Sequence, residues 1–225
     1  MAFSSFGTRA LAPLALAATV FSLAVNAQDI HQYEVTITNI TRAQTFTPQL
    51  VVTHDLGAPL FALATEASLG LEILAEGGDT SELTDEVANI TTEAVTMGGL
   101  LAPGASTTVS ISGDPMADQI SIAAMLIPTN DTFVGLTGAF LPQSGTRTYT
   151  AVAYDAGTEV NDQNCANMPG PRCGGEGFNE ANGEGYIYIS NGFHELPNDG
   201  VAEVLGPLTY DWRNPVALVT VTKVN

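Results

Sequence analysis

The sequence predicts a mainly β protein, an antiparallel β-sandwich with one short helical excursion. Three observations carry this expectation. Short runs that alternate apolar and polar residues recur between turn signals of Gly, Pro and Asp, as in Tyr33–Thr41. One run, Gln119–Ile127, is apolar on both faces and reads as a central strand. A single block, residues 65–89, switches to the three- and four-residue spacing of helices.

Residues 1–27 read as a secretory signal. Arg9 supplies the positive start, Leu11–Val25 is apolar, and Val25-Asn26-Ala27 offers small residues around a cleavage point. A membrane anchor needs about twenty continuous apolar residues, and this run is shorter. The expectation is therefore a secreted or periplasmic protein without a membrane span, its residues 28–225 forming a single domain. The chain carries 24 acidic and 6 basic side chains, a formal net charge of −18. Such a surface repels nucleic acid and anionic lipid, so neither is an expected partner, whereas divalent cations are favoured.

In Tyr33–Thr41, Tyr33, Val35 and Ile37 alternate with Glu34, Thr36 and Thr38, the period of a half-buried strand. Phe46–Thr53 is the second strand, and Pro48 places its start at an edge or after a bulge. Leu63, Ala67, Leu71 and Leu74, then Leu83, Val87 and Ile90, predict two short helices broken at Gly77 and Gly78 and covering one open end of the sandwich. Strands resume at Thr92–Met97, Ser106–Ser112 and Gln119–Ile127, punctuated by Gly and Pro. Thr148–Tyr154, Tyr186–Ser190 and Val216–Val224 complete the set, with Asp211, Trp212 and Arg213 forming a packed corner before the last.

Gln119–Ile127 and Thr148–Tyr154 each lead into a turn that carries carboxylates. If those turns lie together, Asp131, Asp155, Glu159 and Asp162 converge. Oxygen-only ligands of this kind suit a hard cation, Ca²⁺ above all. The spacing is not that of an EF-hand, because Val160 stands where its glycine belongs and Ala166 where its glutamate belongs. Asp155 equally reads as a residue that caps its own turn.

The same stretch carries a resemblance. Asn130-Asp131-Thr132-Phe133-Val134-Gly135-Leu136 and Tyr154-Asp155-Ala156-Gly157-Thr158-Glu159 resemble the two signatures of the spondin N-terminal domain family, Pro-Asp-Trp-Phe-Val-Gly and Tyr-Asp-Ala-Gly-Thr-Asp. The C-terminal Asp211-Trp212-Arg213-Asn214-Pro215-Val216 is similar to endings of bacterial members. Thr132 and Glu159 depart from the pattern. The resemblance implies a C2-like sandwich without catalytic activity that binds Ca²⁺ at the matching acids and mediates adhesion to an extracellular protein or matrix polymer.

Cys165 and Cys173 are the only cysteines, and in an exported chain such a close pair reads as a disulfide. Catalytic motifs are missing: there is no Gly-x-Ser-x-Gly elbow, no phosphate loop and no histidine pair on a helix. The remaining alternative is an exported transition-metal protein or metal-dependent enzyme that uses His54 and His194 with nearby acids.

Overall fold

The computed structural model describes Met1 and residues 29–179, 183–194 and 205–224. Residues 2–27 of the expected signal lie outside the described residues. No helix among those described is long and apolar enough to cross a membrane.

The strands are β1 His31–Asn39, β2 Thr45–Phe46, β3 Gln49–Asp55, β4 Thr91–Met97, β5 Ser106–Gly113, β6 Asp118–Ile127, β7 Thr132–Phe140, β8 Thr146–Asp155, β9 Tyr188–Ile189 and β10 Ala217–Val224. They run in the order β4-β3-β6-β7-β8-β10-β1-β5, with β2 against β6 and β9 against β8. Every pairing is antiparallel. β8 joins two layers, because Thr146–Ala151 pair with β10 whereas Val152–Asp155 pair with β7. The last strand, β5, approaches β3 and β4 through side chains: the Thr53 hydroxyl of β3 donates to the Ser112 carbonyl at 2.6 Å, and Ser112 N–H donates to Glu93 of β4 at 2.5 Å. The result is a sandwich that is nearly closed.

Two cores explain the hydrophobic pattern. Between the layers lie Tyr33, Val35 and Ile37 of β1, Ile122 and Ala124 of β6, and Val219 and Val221 of β10, all essentially inaccessible. On the outer side of β3, β6 and β7, Leu50, Val52, Ala123 and Phe133 pack against Phe61, Leu71, Leu74 and Leu83. β3 and β6 are therefore buried on both faces. Each fully buried leucine contributes about 1.5 to 3 kcal/mol by leaving water, which gives the outer core real weight in stability.

The helices that cover this outer face are α1 Leu69–Gly77 and α2 Ser81–Glu86; a third, α3 Pro207–Tyr210, is one turn. Ser68 caps α1 by accepting from Leu71 N–H at 3.3 Å, and Gly78 in the left-handed conformation ends it. Glu86 ties the pair together, accepting from Ser68 Oγ at 2.6 Å and Gly70 N–H at 2.7 Å. The break at Gly77 and Gly78 is as the sequence predicts, but the pair lies on a sheet face and not over an open end. Leucines spaced along both helices find more apolar surface on β3 and β6 than a rim of strand ends could offer.

Two strand boundaries also differ from expectation. Pro48 splits the second strand into β2 and β3, and β3 is interior, flanked by β4 and β6. β7 is absent from the sequence expectation because Gly135 and Gly138 interrupt its pattern. Gly135 is needed there, since a Cβ would stand 2.6 Å from the Phe61 ring and 2.9 Å from Tyr154.

Candidate functional site

β6 ends at Ile127, β7 begins at Thr132, and Asp131 sits between them. Thr132 pairs with Asp155, the last residue of β8, so the strand register alone brings Asp131 and Asp155 to one end of the sandwich. Ala156 N–H donates to the Asp131 carbonyl at 3.1 Å, and the chain then bends back over the Asp131 side chain. Asp131 Oδ2 accepts from Thr158 N–H at 2.9 Å, Glu159 N–H at 3.0 Å and the Thr158 hydroxyl at 3.4 Å.

Gly157 permits this bend twice over. Its φ is +70°, and a Cβ would fall 2.3 Å from the Tyr186 carbonyl oxygen. Its N–H caps Asp155 Oδ1 at 2.9 Å. Asp155 therefore does cap its turn, while also facing Tyr188, its register partner on β9. Asn161 donates to the Tyr188 hydroxyl at 2.7 Å and to Glu184 at 3.2 Å.

Asp131, Asp155 and Glu159 are each no more than 2 % exposed. A fourth buried acid, Glu76 at the end of α1, joins them and was not foreseen. Asn179 bridges it to Glu159: its N–H donates to Glu76 Oε2 at 3.0 Å, and its carboxamide donates to Glu159 Oε1. The only trace of Glu76 in the sequence is an acid in the last turn of a helix, where the macrodipole disfavours it. Asp162 stands apart. It is exposed and engaged in its own turn, accepting from Asn164 N–H at 2.8 Å and from the Asn167 side chain at 3.4 Å.

The electrostatics of the buried acids are unbalanced. Burial, then the neighbouring Asp155 charge, pushes the Asp131 carboxyl well above the usual range. Burial raises Asp155 to about 6, against hydrogen bonds from Gly157, Tyr188 and Asn161 that favour its charge. Burial likewise raises Glu159 to about 7 and lifts Glu76. Neither ion pair seen among the described residues, His31–Asp29 or Arg213–Asp211, includes any of the four. Among the described residues, Asp131 Oδ1, Glu159 Oε2 and Glu76 Oε1 are buried with no hydrogen-bond partner. Among the described residues no three His, Cys, Asp or Glu side chains stand close enough together to form a finished metal cage.

His54 and His194 lie at opposite ends of the sandwich. His54 is buried at the far end of β3, its Nε2 2.7 Å from Ser121 Oγ and its Nδ1 3.1 Å from the Asp55 carbonyl. It pairs with Gln119 at the start of β6, eight residues and roughly 26 Å of strand from Ile127. His194 lines a cavity at the opposite end, beside Asp155, and Glu195 lies outside the described residues. Cys165 and Cys173 form a disulfide with an S–S distance of 2.03 Å. The Arg213–Asp211 pair flanks buried Trp212, as expected of that corner.

No curated protein matches the chain. The model of the Spondin_N family, the spondin N-terminal domain, matches residues 31–164, from the first strand through both acid-bearing turns. That match spans more than half of the chain, and together with the disulfide it is consistent with an extracellular β domain. The chain belongs to the spondin N-terminal domain family.

Proposed function

We propose that this protein is a secreted, non-catalytic domain that binds Ca²⁺ through Asp131, Asp155 and Glu159 and mediates adhesion to an extracellular protein or matrix polymer. The observation that carries this reading is the pair of orphaned oxygens, Asp131 Oδ1 and Glu159 Oε2, on buried carboxylates that form no ion pair among the described residues. An unpaired buried charge is unfavourable by several kcal/mol, and these acids otherwise persist only by holding protons. A hard divalent cation supplies the missing positive charge and takes oxygen donors alone. Asp162, outside the buried set, adds negative charge near Glu159.

Family membership supports the same residues, because the matched span, residues 31–164, includes both turns that present them. The ion would act as a structural bridge between the end of β8 and the turn before β7. In this reading its chemistry is electrostatic, with no bond made or broken.

Thermal unfolding with chelator, with Ca²⁺ and with Zn²⁺ tests the proposal. Ca²⁺ at a hundredfold excess over its dissociation constant is expected to add about 2.7 kcal/mol of stability. An unfolding midpoint unmoved by Ca²⁺ would overturn it. A response to Zn²⁺ alone would turn attention to His54 and His194.

A further inference from the structure

We propose that the cavity beside Asp155 binds a single neutral sugar ring. The cavity has a volume of about 130 Å³ and lies between the end of β8, β9 and the segment leading to His194. A cavity of about 150 Å³ holds benzene, so the space is on the scale of one six-membered ring.

Its lining selects among ligand classes. Asp155 and Glu184 present carboxylates and no Lys or Arg contributes among the described residues, so an anion is repelled. Trp212 forms part of the wall, is only 7 % exposed, and has an indole Nε1–H with no hydrogen-bond partner. That donor is sealed away from the cavity, so the part of Trp212 offered to a ligand is its ring. An ammonium group would satisfy the carboxylates but has no acceptor to offer the Asn191 carboxamide. An apolar ring would leave the Asn191 carboxamide and the two carboxylates unmet. A hydroxyl donates and accepts at once, so a polyhydroxylated ring can donate to Asp155 or Glu184 while accepting from the Asn191 carboxamide. The apolar ring faces of Tyr188, and of Phe193 packed edge-on to Trp212 at 5.5 Å, suit the C–H surface of such a ring. The cavity shares Asp155 with the proposed cation site but does not depend on the cation.

Trp212 is the only tryptophan, so one indole N–H resonance and all tryptophan fluorescence report on this wall. The ¹⁵N-labelled folded protein would be titrated with glucose, galactose, mannose and N-acetylglucosamine, each in Ca²⁺ and in chelator. Lysine methyl ester and inorganic phosphate serve as cationic and anionic probes. The expected result is a saturable shift of the indole resonance with at least one sugar, weakened about tenfold or more by Asn191→Ala and by Glu184→Gln. Both side chains are exposed, so both variants are expected to fold. No saturable shift with any sugar in either condition would overturn the inference. So would a shift confined to lysine methyl ester or phosphate, or unchanged sugar affinity in both variants. Sugar binding in chelator would stand even if Ca²⁺ left the unfolding midpoint unmoved, so the two readings fail separately.

Discussion

Glu159 N–H donates to Asp131 Oδ2 at 3.0 Å, while the outer oxygens of both carboxylates, Asp131 Oδ1 and Glu159 Oε2, are buried without a partner. The backbone thus draws two acids from distant parts of the chain together without neutralising them. Asp155→Ala and Asp131→Asn are expected to abolish the Ca²⁺-induced rise in unfolding midpoint, and both should leave the far-UV circular dichroism of the sandwich intact. A full Ca²⁺ response in either variant would refute the ligand set.

The pH dependence of the metal-free protein follows from burial. Asp155 is raised from 3.8 to about 6, and Glu159 from 4.5 to about 7. Between these limits the native state keeps protons that the unfolded state has released, so native stability is greatest below about pH 4 to 4.5 and is lost as pH rises through about 6 to 7. A tenfold difference in proton affinity between the two states corresponds to about 1.4 kcal/mol, and the loss for the two groups together is on the order of a few kcal/mol. Urea unfolding in chelator at about pH 5 and about pH 8 checks the sign. Other acids add to the curve, but a protein more stable at the higher pH would contradict this account. Ca²⁺ is expected to reverse the trend, since it binds the deprotonated carboxylates.

Glu76→Gln removes one buried charge and keeps an acceptor for Asn179 N–H. Metal-free protein carrying it is expected to gain on the order of 1 kcal/mol near neutral pH, as relief of an uncompensated buried charge. Chemical denaturation in chelator measures the change. A loss of stability would mean that the charge itself is needed at the end of α1.

Gly157→Ala places a methyl group against the Tyr186 carbonyl in a left-handed backbone. The strain alone amounts to about 1 to 3 kcal/mol, and the clash adds to it. The variant is expected to unfold at lower temperature and to lose Ca²⁺ binding, because the turn that donates to Asp131 cannot close. Normal Ca²⁺ affinity would show that the turn is unimportant to the site.

Reducing the Cys165–Cys173 disulfide opens a loop with a sequence separation of 8. In the chain-entropy description the bond is worth about 2 to 3 kcal/mol. The cysteines flank the turn that packs against the inner core through Met168, so limited proteolysis under reducing conditions is expected to cut first between residues 161 and 179. Cleavage elsewhere would place the least stable region outside this loop.

Much of the fold was legible because local rules and tertiary packing agree. Tyr33, Val35 and Ile37 alternate in sequence and are fully buried in β1, and the two-sided apolar run is the two-sided strand β6. β7 was hidden because Gly135 makes room for Phe61, a residue 74 positions away in sequence that no local pattern reveals. Asp131, Asp155 and Glu159 were legible because strand ends and signature residues coincide. Glu76 was not, since its burial depends on Asn179 arriving from a loop 103 residues later. Asp162 has the right chemistry, but its hydrogen bonds to Asn164 and Asn167 keep it at the surface.

β1 and β10 lie side by side and antiparallel, with Gln32 opposite Val224. Whatever precedes β1 or follows β10 therefore leaves from one pole of the sandwich, near Gly113 and Gly145. Asp131 and Asp155 occupy the other pole, where Asn39 and Ala217 end the same two strands. A tether at either terminus would carry the domain like a head on a stalk, its acidic tip facing outward and clear of the attachment. Tension between the two ends would open the β1–β10 seam one rung at a time from the stalk side, and the tip would be the last part to feel it.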